Sequence, residues 1–339
     1  MNKMKRIFAS FLVIITLTGS SSLLTGCGTL QDPITVTDYK LNTYGSISSY
    51  TNVKQSVLHE VLNLCDDYEK MFSRTAKDSL LYQVNHQQIN EIPAELAELI
   101  QYGIDYSRLS DGAFDLTIGS VSQLWDFTGE HPQVPDAQAI AQALTYVDYT
   151  KVKLTPIDSD AGTYRIDLPD HTVIDLGAIA KGYIADRLKD ALLERGVTSA
   201  IINLGGNVLC VGSKQKSTDF NIGVKKPFTE TNETLAMLKL NDVSAVSSGV
   251  YERYFYQDNQ FYHHILDPST GYPYNNGLTE VTIISKESVT GDCLSTTCFV
   301  LGLDKGMELI ETLDDIEAIF VTSDGNIHYT SGIQKYLVK

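Results

Sequence analysis

The chain has 339 residues with 26 Lys or Arg and 42 Asp or Glu, which gives a formal net charge of −16. A hydrophobic share of 43% and a charged share of 20% are those of an ordinary globular chain, so a disordered or collagen-like protein is excluded. The acidic balance argues against nucleic acid as a partner, because nucleic-acid binding needs clustered Lys and Arg. No segment after residue 26 is long and apolar enough for a multi-span membrane protein.

The first 26 residues have the pattern of a secretory signal. Lys3, Lys5 and Arg6 precede an apolar run over residues 7–24 that ends in small residues. The next segment, Leu-Leu-Thr-Gly-Cys at 23–27, is similar to the lipobox of bacterial lipoproteins, in which the cysteine carries the lipid. The alternative is an uncleaved membrane anchor. In both cases the body of the protein lies outside the cytoplasm.

The lipobox pattern divides the chain into three predicted segments. These are a signal peptide over 1–26, a tether over 27–38 that starts at a lipidated Cys27, and one folded domain over 39–339. The anchor would hold the protein on the extracytoplasmic face of the bacterial cell membrane, since two acyl chains give stable membrane attachment.

Hydrophobic periodicity predicts six helices and a second half rich in strands. The predicted helices cover 53–71, 93–109, 136–146, 179–195, 291–302 and 304–312. The predicted strands cover 164–168, 172–176, 199–204, 207–212, 219–224, 234–240, 243–247, 252–257, 260–265, 279–285, 316–322 and 326–330. A hairpin turn is expected at 168–171, and Gly196 is expected to end its helix. Because hairpins dominate, we predict an α+β fold with largely antiparallel sheets and packed helices.

A strand-to-helix turn at 175–186 is rich in small residues. Such a turn exposes backbone N–H groups at a helix N-terminus, where phosphate binds, and Lys181 adds a positive charge in the first turn. The alternative is that the small residues only permit tight packing of the helix against the sheet.

A second pattern lies in the predicted helix 291–302. Asp292, Ser295 and Thr296 stand at positions i, i+3 and i+4, so they share one helix face. One carboxylate and two hydroxyls form a set of oxygen ligands of the kind that Mg²⁺ prefers. The alternative is that Asp292 caps the helix and the hydroxyls bond back to the backbone.

Two further segments carry candidate site residues. His263 and His264 are adjacent on a predicted strand, so they point to opposite faces and only one can look into a given site. Histidine is the usual acid or base near neutral pH. Gly112 and Phe114 lie in a glycine loop with an aromatic residue, which could hold a planar ring. The Gly-Gly turn at 205–206 is typical of a plain hairpin.

Taken together and in this order, these segments resemble the ApbE family, the FAD:protein FMN transferases. The matching segments extend over about residues 41–302. They are Phe72-Ser73 with Asp78-Ser79, 111–117, 175–186, 202–208, 245–249 with 251–253, 263–273 and 291–297.

The resemblance implies an ApbE-like, T-fold-related single catalytic body over 39–339 and a specific set of site residues. Ala113, Phe114, Asp115, Asp175, Lys181 and Ile265 fall at FAD-contacting positions. Leu41 and Thr75 fall at two more, although Leu41-Asn42-Thr43 stands where many members have Met-Gly-Thr or Met-Asp-Thr, and Ser73-Arg74-Thr75 departs from a Ser-Thr-Tyr pattern. Asp292, Ser295 and Thr296 fall at metal positions, with Ala178 joining them through its backbone carbonyl. His264 rather than His263 falls on the histidine implicated in transfer.

The resemblance also implies an activity and partners. The enzyme would be Mg²⁺-dependent, would use FAD as substrate, and would transfer FMN to a Ser or Thr hydroxyl of an acceptor flavoprotein with release of AMP. The acceptor expected is a redox lipoprotein or a membrane electron-transfer subunit. Two alternatives stay open: a FAD pyrophosphatase that gives FMN and AMP, and a non-catalytic flavin-binding lipoprotein.

Overall fold

The computed structural model describes residues 32–158, 162–214, 218–229 and 233–338. The predicted signal peptide and Cys27 therefore lie outside the described residues. The first strand begins at Ile34, so the predicted tether, which ends at residue 38, overlaps a strand. The overlap has a physical reason: only Val36 and Lys40 of this strand are buried, and its exposed polar residues have the composition of a linker.

The described residues form fifteen strands and eight α-helices. The helices are α1 Gln55–Phe72, α2 Leu80–Asn85, α3 Ala94–Leu109, α4 Gly119–Ser122, α5 Ala137–Leu144, α6 Ala180–Glu194, α7 Ser288–Leu301 and α8 Leu303–Glu311. The strands are β1 Ile34–Lys40, β2 Thr43–Ser49, β3 Glu91–Pro93, β4 Lys153–Asp158, β5 Thr163–Asp167, β6 Ala200–Leu204, β7 Asn207–Val211, β8 Phe220–Lys225, β9 Thr234–Leu240, β10 Ser244–Gly249, β11 Tyr254–Gln257, β12 Gln260–His263, β13 Leu278–Ser285, β14 Glu317–Thr322 and β15 Ile327–Tyr329. Within the described ranges, no helix has both the length and the apolar character to cross a membrane.

One large sheet organises the fold. Its eight strands run in the order β1-β2-β6-β7-β10-β13-β14-β15, and every neighbouring pair is antiparallel. Three small sheets, β3-β5-β4, β8-β9 and β11-β12, complete the β structure. The predicted α+β fold with largely antiparallel sheets is therefore confirmed.

The large sheet is covered on both faces. Helices α1, α6 and α7 pack on one face, where Leu62, Leu188 and Leu294 are fully or almost fully buried. The β8-β9 ribbon forms a second core, which contains Phe220 and Leu238. This two-sided burial explains why β13 is buried along its whole length.

The predicted strand at 172–176 and the hairpin turn before it are wrong. β5 pairs with β3 and β4, while Val173 makes only an isolated parallel bridge to Ile118. In this extended segment, side chains make the hydrogen bonds that a neighbouring strand would otherwise make. Ser120 Oγ accepts from Val173 N, and the Asn85 side-chain amide bonds both the N–H and the C=O of Ile174. Apolar alternation marks an extended segment, and it does not distinguish these two ways of satisfying its backbone.

A buried acid on β13 makes stability depend on pH. The Glu280 side chain is fully buried and accepts hydrogen bonds from Tyr251 Oη and Thr282 Oγ1, each at 2.9 Å. Burial raises the pKa of Glu280 from 4.5 to about 7. The folded state therefore keeps a proton that the unfolded state has lost, so this group's contribution to stability falls as pH rises through that window.

We therefore expect Glu280→Gln to gain stability relative to the wild type between about pH 4.5 and about pH 7. The change should be on the order of 3 kcal/mol, since a shift of one pKa unit corresponds to about 1.4 kcal/mol. Denaturant unfolding of both proteins across this pH range measures the difference. Parallel stability curves for the two proteins would contradict the assignment.

Candidate active site

Helices α6 and α7 meet at their N-terminal ends, and each supplies a carboxylate to the other. Asp292 Oδ2 on α7 accepts from Gly182 N in the first turn of α6 at 2.6 Å. Asp186 on α6 accepts from Ser288 N at 2.9 Å and from Val289 N at 2.8 Å, which caps α7. Unpaired N–H groups at both helix ends are thus satisfied by acids, as the helix dipoles favour.

This close approach depends on Gly182. A Cβ at this position would stand 2.4 Å from the Ser288 carbonyl oxygen and 2.8 Å from Asp292 Cβ. The small residues of the turn therefore do permit tight packing, as the alternative held, but the partner is helix α7 and its Asp292. The packing explanation therefore holds at Gly182, and phosphate binding at this turn stays a prediction.

We expect Gly182→Ala to force α6 away from α7. Overpacking of this kind lowers the free energy of unfolding by about 1–3 kcal/mol, and it also displaces Asp292. Thermal unfolding and the pKa-sensitive NMR shifts of the Asp292 carboxyl report the two effects separately. A variant with an unchanged Tm would show that the helix pair can give way at this point.

The Asp292 carboxylate is buried and only partly compensated. Its residue is 3% exposed. Burial raises the pKa of Asp292, while Lys181, the Gly182 N–H and the Asn207 amide act in the opposite direction. Asp292 is not the N-cap of α7, because that position belongs to Glu287. A buried carboxylate of this kind is stabilised by a nearby cation.

Three hydroxyls lie together beside Asp292. Ser248 Oγ on β10 is 2.8 Å from Ser295 Oγ and 3.1 Å from Thr296 Oγ1. Ser295 Oγ also donates to the Asp292 carbonyl at 3.0 Å. The alternative that both hydroxyls bond back to the backbone is thus found for Ser295. Thr296 lies between buried and exposed. Ser248, which the residue pattern did not single out, thus extends the oxygen cluster.

The same arrangement leaves the carbonyl of Ala178 without its helical hydrogen bond. In an α-helix Gly182 N would donate to this carbonyl, four residues back, but it donates to Asp292 instead. No backbone hydrogen bond to the Ala178 oxygen occurs among the described residues. The carbonyl is thus free to bind another group.

The donor set fits a hard cation such as Mg²⁺. The predicted ligands are one carboxylate, two hydroxyls and a carbonyl, all oxygen. Among the described residues no group of three or more His, Cys, Asp or Glu could hold a metal ion. A metal site here would therefore consist of one carboxylate, that of Asp292, and neutral oxygens. The four metal-ligand assignments stay predictions.

Asp175, at the start of the small-residue turn, is fully engaged by protein donors. Its Oδ2 accepts from Arg74 Nε at 3.1 Å and from Ser122 Oγ at 2.9 Å, and its Oδ1 accepts from Gly177 N at 2.9 Å. Burial would raise the pKa of Asp175, but Arg74, these donors and Arg253 together hold it below its usual value. The residue is therefore an ionised anchor for the turn.

The two adjacent histidines have different environments, as their positions on β12 and just after it predict. His263 is 4% exposed; its Nε2 lies 2.9 Å from the Tyr274 carbonyl, and its Nδ1 accepts from Ile265 N at 3.3 Å. His264 Nδ1 is buried and has no hydrogen-bond partner. Burial, Arg253 and His263 hold the pKa of His264 well below its usual value, so its imidazole is neutral.

Glu252 and Arg253, which the sequence indicated only as part of the segment 251–253, lie electrostatically close to the site. Glu252 is electrostatically coupled to Lys181, Arg253 and Asp292, and burial raises its pKa. Lys181 also acts on His264. The charged groups of the turn, of α7 and of the segment after β10 therefore lie close enough to influence one another's pKa values. The signal that could have found Glu252 is an acid beside a basic residue within a family motif.

The loop at 111–117 is stabilised by hydrogen bonds to the carboxylate of its own Asp115. Asp115 Oδ1 accepts from Thr117 N and Thr117 Oγ1, and its Oδ2 accepts from Tyr149 N. The Phe114 ring lies in the main core at 6% exposure, so it does not present a free face to a planar ligand. Tyr274 Oη donates to the Ala113 carbonyl at 2.8 Å. Contact of these residues with FAD stays a prediction.

The last three predicted FAD positions are placed as follows. Tyr274 N donates to the carbonyl of the buried Ile265, which joins the Ile265 segment to the loop of Ala113. Leu41 occupies the β1-β2 turn at φ 52°. This turn is at the same end of the sheet as Asn207, because β2 pairs with β6 and β6 with β7. Thr75 is exposed on the loop after α1.

Fold and site together define an α+β enzyme with an oxygen-lined site at a helix N-terminus, an arrangement that suits a phosphorylated substrate. A family model described as "ApbE family" matches residues 36–320. A relative from Klebsiella pneumoniae named FAD:protein FMN transferase is 38% identical, over 82% of this chain and 85% of its own. A second with that name, from Treponema pallidum, is 31% identical, over 82% of this chain and 80% of its own.

A solved structure shows the same fold. The ApbE protein of Thermotoga maritima matches with a TM-score of 0.81 and 31% identity, covering 91% of this chain and 100% of that chain. The chain belongs to the ApbE family, and its enzyme class is that of the transferases.

Proposed function

We propose that the protein transfers FMN from FAD to a Ser or Thr hydroxyl of an acceptor flavoprotein in a Mg²⁺-dependent reaction. The hydroxyl oxygen forms a bond to the phosphorus of the FMN half, and the bond from that phosphorus to the bridging oxygen breaks. AMP leaves with the bridging oxygen, and the hydroxyl proton is released. The products are a phosphoester-linked flavin on the acceptor and free AMP.

The residues of this chain supply binding and charge. Lys181 and the N-terminus of α6 hold the diphosphate, since both attract anions. Asp292, Ser295, Thr296 and the Ala178 carbonyl would hold Mg²⁺, which when bound neutralises charge that develops on the phosphate oxygens. His264, which is neutral and has an unpartnered Nδ1, would receive the hydroxyl proton or orient the hydroxyl.

One observation carries the proposal. Asp292 Oδ2 lies 2.6 Å from Gly182 N, so the carboxylate predicted to bind the metal touches the first turn of α6, which is proposed to hold the diphosphate. These residues are 110 positions apart in sequence. A protein that only captures flavin needs no carboxylate at a phosphate-binding helix end, where it would repel the ligand unless a cation lay between them.

Incubation with FAD and Mg²⁺ tests the proposal against both alternatives. With a candidate acceptor, a redox lipoprotein or a membrane electron-transfer subunit, mass spectrometry should show an FMN adduct on a Ser or Thr together with AMP. Rapid release of free FMN and AMP without any acceptor would instead support a pyrophosphatase. Retained FAD with no AMP would support a flavin-binding protein without turnover.

We also propose that the protein is anchored through lipid on Cys27 at the extracytoplasmic face of the cell membrane. The lipobox-like segment before Cys27 supports this proposal. Metabolic labelling with palmitate should mark the wild-type chain and not Cys27→Ser. Equal labelling of the two chains would exclude Cys27 as the lipidated residue.

A further inference from the structure

Arg74 reaches the small-residue turn from a distant part of the chain. It follows α1, and its Nε donates to Asp175 Oδ2 at 3.1 Å across 101 positions of sequence. The two side chains are 23% and 24% exposed, so the pair is largely shielded from water. The other oxygen of the same carboxylate binds Gly177 N. Arg74 therefore stands beside the turn whose N–H groups are proposed to hold diphosphate.

No described residue pairs with the rest of the guanidinium. A guanidinium has five N–H donors, and a paired carboxylate usually takes two nitrogens of the fork. Here only Nε is paired, and no further hydrogen bond from the Arg74 side chain occurs among the described residues. The two terminal nitrogens are not buried polar atoms without partners, so they keep access to solvent.

The negative charge of Asp175 indicates why it is paired with Arg74. An ionised aspartate beside a diphosphate would repel it. Asp175 is nevertheless ionised, because its pKa is held below the usual value, and Arg74 lowers that pKa more than any other positive group does. Its three donors leave the carboxylate little capacity for a ligand. The aspartate is therefore suited to hold a cation in place rather than to touch an anionic substrate.

On the basis of the proposed function, we propose that Arg74 is a further substrate-binding residue whose terminal nitrogens contact the diphosphate of the dinucleotide. Asp175 fixes the guanidinium and Ser122 fixes Asp175. The contact with FAD that the family resemblance gives to Asp175 would then pass through Arg74. The ligand class recognised is a diphosphate ester, and the flavin ring is not part of this contact.

Equilibrium dialysis of FAD and of riboflavin, which lacks phosphate, tests the assignment without any acceptor. The variant is Arg74→Gln, because its amide can still donate to Asp175 while the positive charge is lost. Loss of a charged hydrogen bond predicts FAD binding about 10- to 100-fold weaker than in the wild type. Riboflavin binding should stay within about twofold. Arg108→Gln is the matched control, since Arg108 forms an exposed pair with Asp105.

The outcomes separate this inference from the proposed function. FAD weakened with riboflavin unchanged supports the diphosphate contact, even if no acceptor is ever modified. Unchanged FAD affinity overturns it while leaving the transferase proposal standing. Equal weakening of FAD and riboflavin also overturns it, because Arg74 would then shape the ring pocket. A wild-type protein that binds no FAD would overturn both.

Discussion

Replacing Asp292 with asparagine is expected to lower FMN transfer by about 10³-fold or more, and ordinary Mg²⁺ concentrations should not restore it. The carboxylate is the one charged group in the predicted metal set, and removal of a major electrostatic contact to a transferring phosphoryl group has effects of this size. The amide oxygen can still accept from Gly182 N, so the contact between α6 and α7 is kept. Transfer to an acceptor under single-turnover conditions gives the rate.

A matched substitution on the same helix pair separates charge from site chemistry. Asp190 lies on the exposed side of α6, where it pairs with Arg187 at 3.3 Å. Asp190→Asn removes the same charge and should leave transfer within about twofold of the wild type, since exposed pairs contribute little. Transfer by Asp292→Asn at the wild-type rate would refute the metal assignment. Equal loss in both variants would point to net charge instead.

Six of the eight helices described could be predicted from sequence because their apolar positions recur every three to four residues, whereas the short helices α2 and α4 were not predicted. In α1, Leu58, Val61, Leu62 and Cys65 form one buried stripe, and the prediction of 53–71 differs from the observed helix by two residues or fewer at each end. The predicted C′ glycine of α6 is confirmed, since Gly196 has φ 75°. The bounds of these helices depend on nearby residues, so the local sequence was sufficient to predict them.

The missed and mistaken strands depend on distant partners. β1 is the edge strand of the large sheet and exposes most of its polar residues, while β2 buries the polar Ser48 and Ser49 beside Ile47, so neither strand shows clear apolar alternation. Segment 172–176 alternates as a strand would, yet its backbone is bonded by Asn85 and Ser120. Nothing in the local sequence shows that these two side chains will arrive there.

In the candidate site, too, some contacts could be predicted from the sequence and others could not. The order of the motifs indicates which residues belong together, and the contact between Gly182 and Asp292 agrees with that expectation. The sequence did not indicate that Arg74 would neutralise Asp175, or that Ser248 would join the hydroxyls of α7. Both contacts join segments that have no shared periodicity and depend only on the tertiary fold.

Replacing His264 with alanine is expected to keep FAD binding while slowing transfer by about 10²- to 10⁴-fold, the usual range for loss of a general acid or base. The imidazole is already neutral, because its pKa is held well below the usual value by burial and by Arg253. The wild-type rate should therefore show no inflection near the ordinary histidine pKa. Single-turnover transfer across the neutral pH range measures both effects.

The adjacent His263 provides the control, since it has the same ring in a different environment. His263→Ala removes a buried ring that bonds the Tyr274 carbonyl and Ile265 N, so it should lower the free energy of unfolding by about 2 kcal/mol or more. His264→Ala should change stability less, because its Nδ1 has no partner to lose. If His264→Ala transfers FMN at the wild-type single-turnover rate, this histidine takes no part in the chemistry, and the hydroxyl proton must leave by another group.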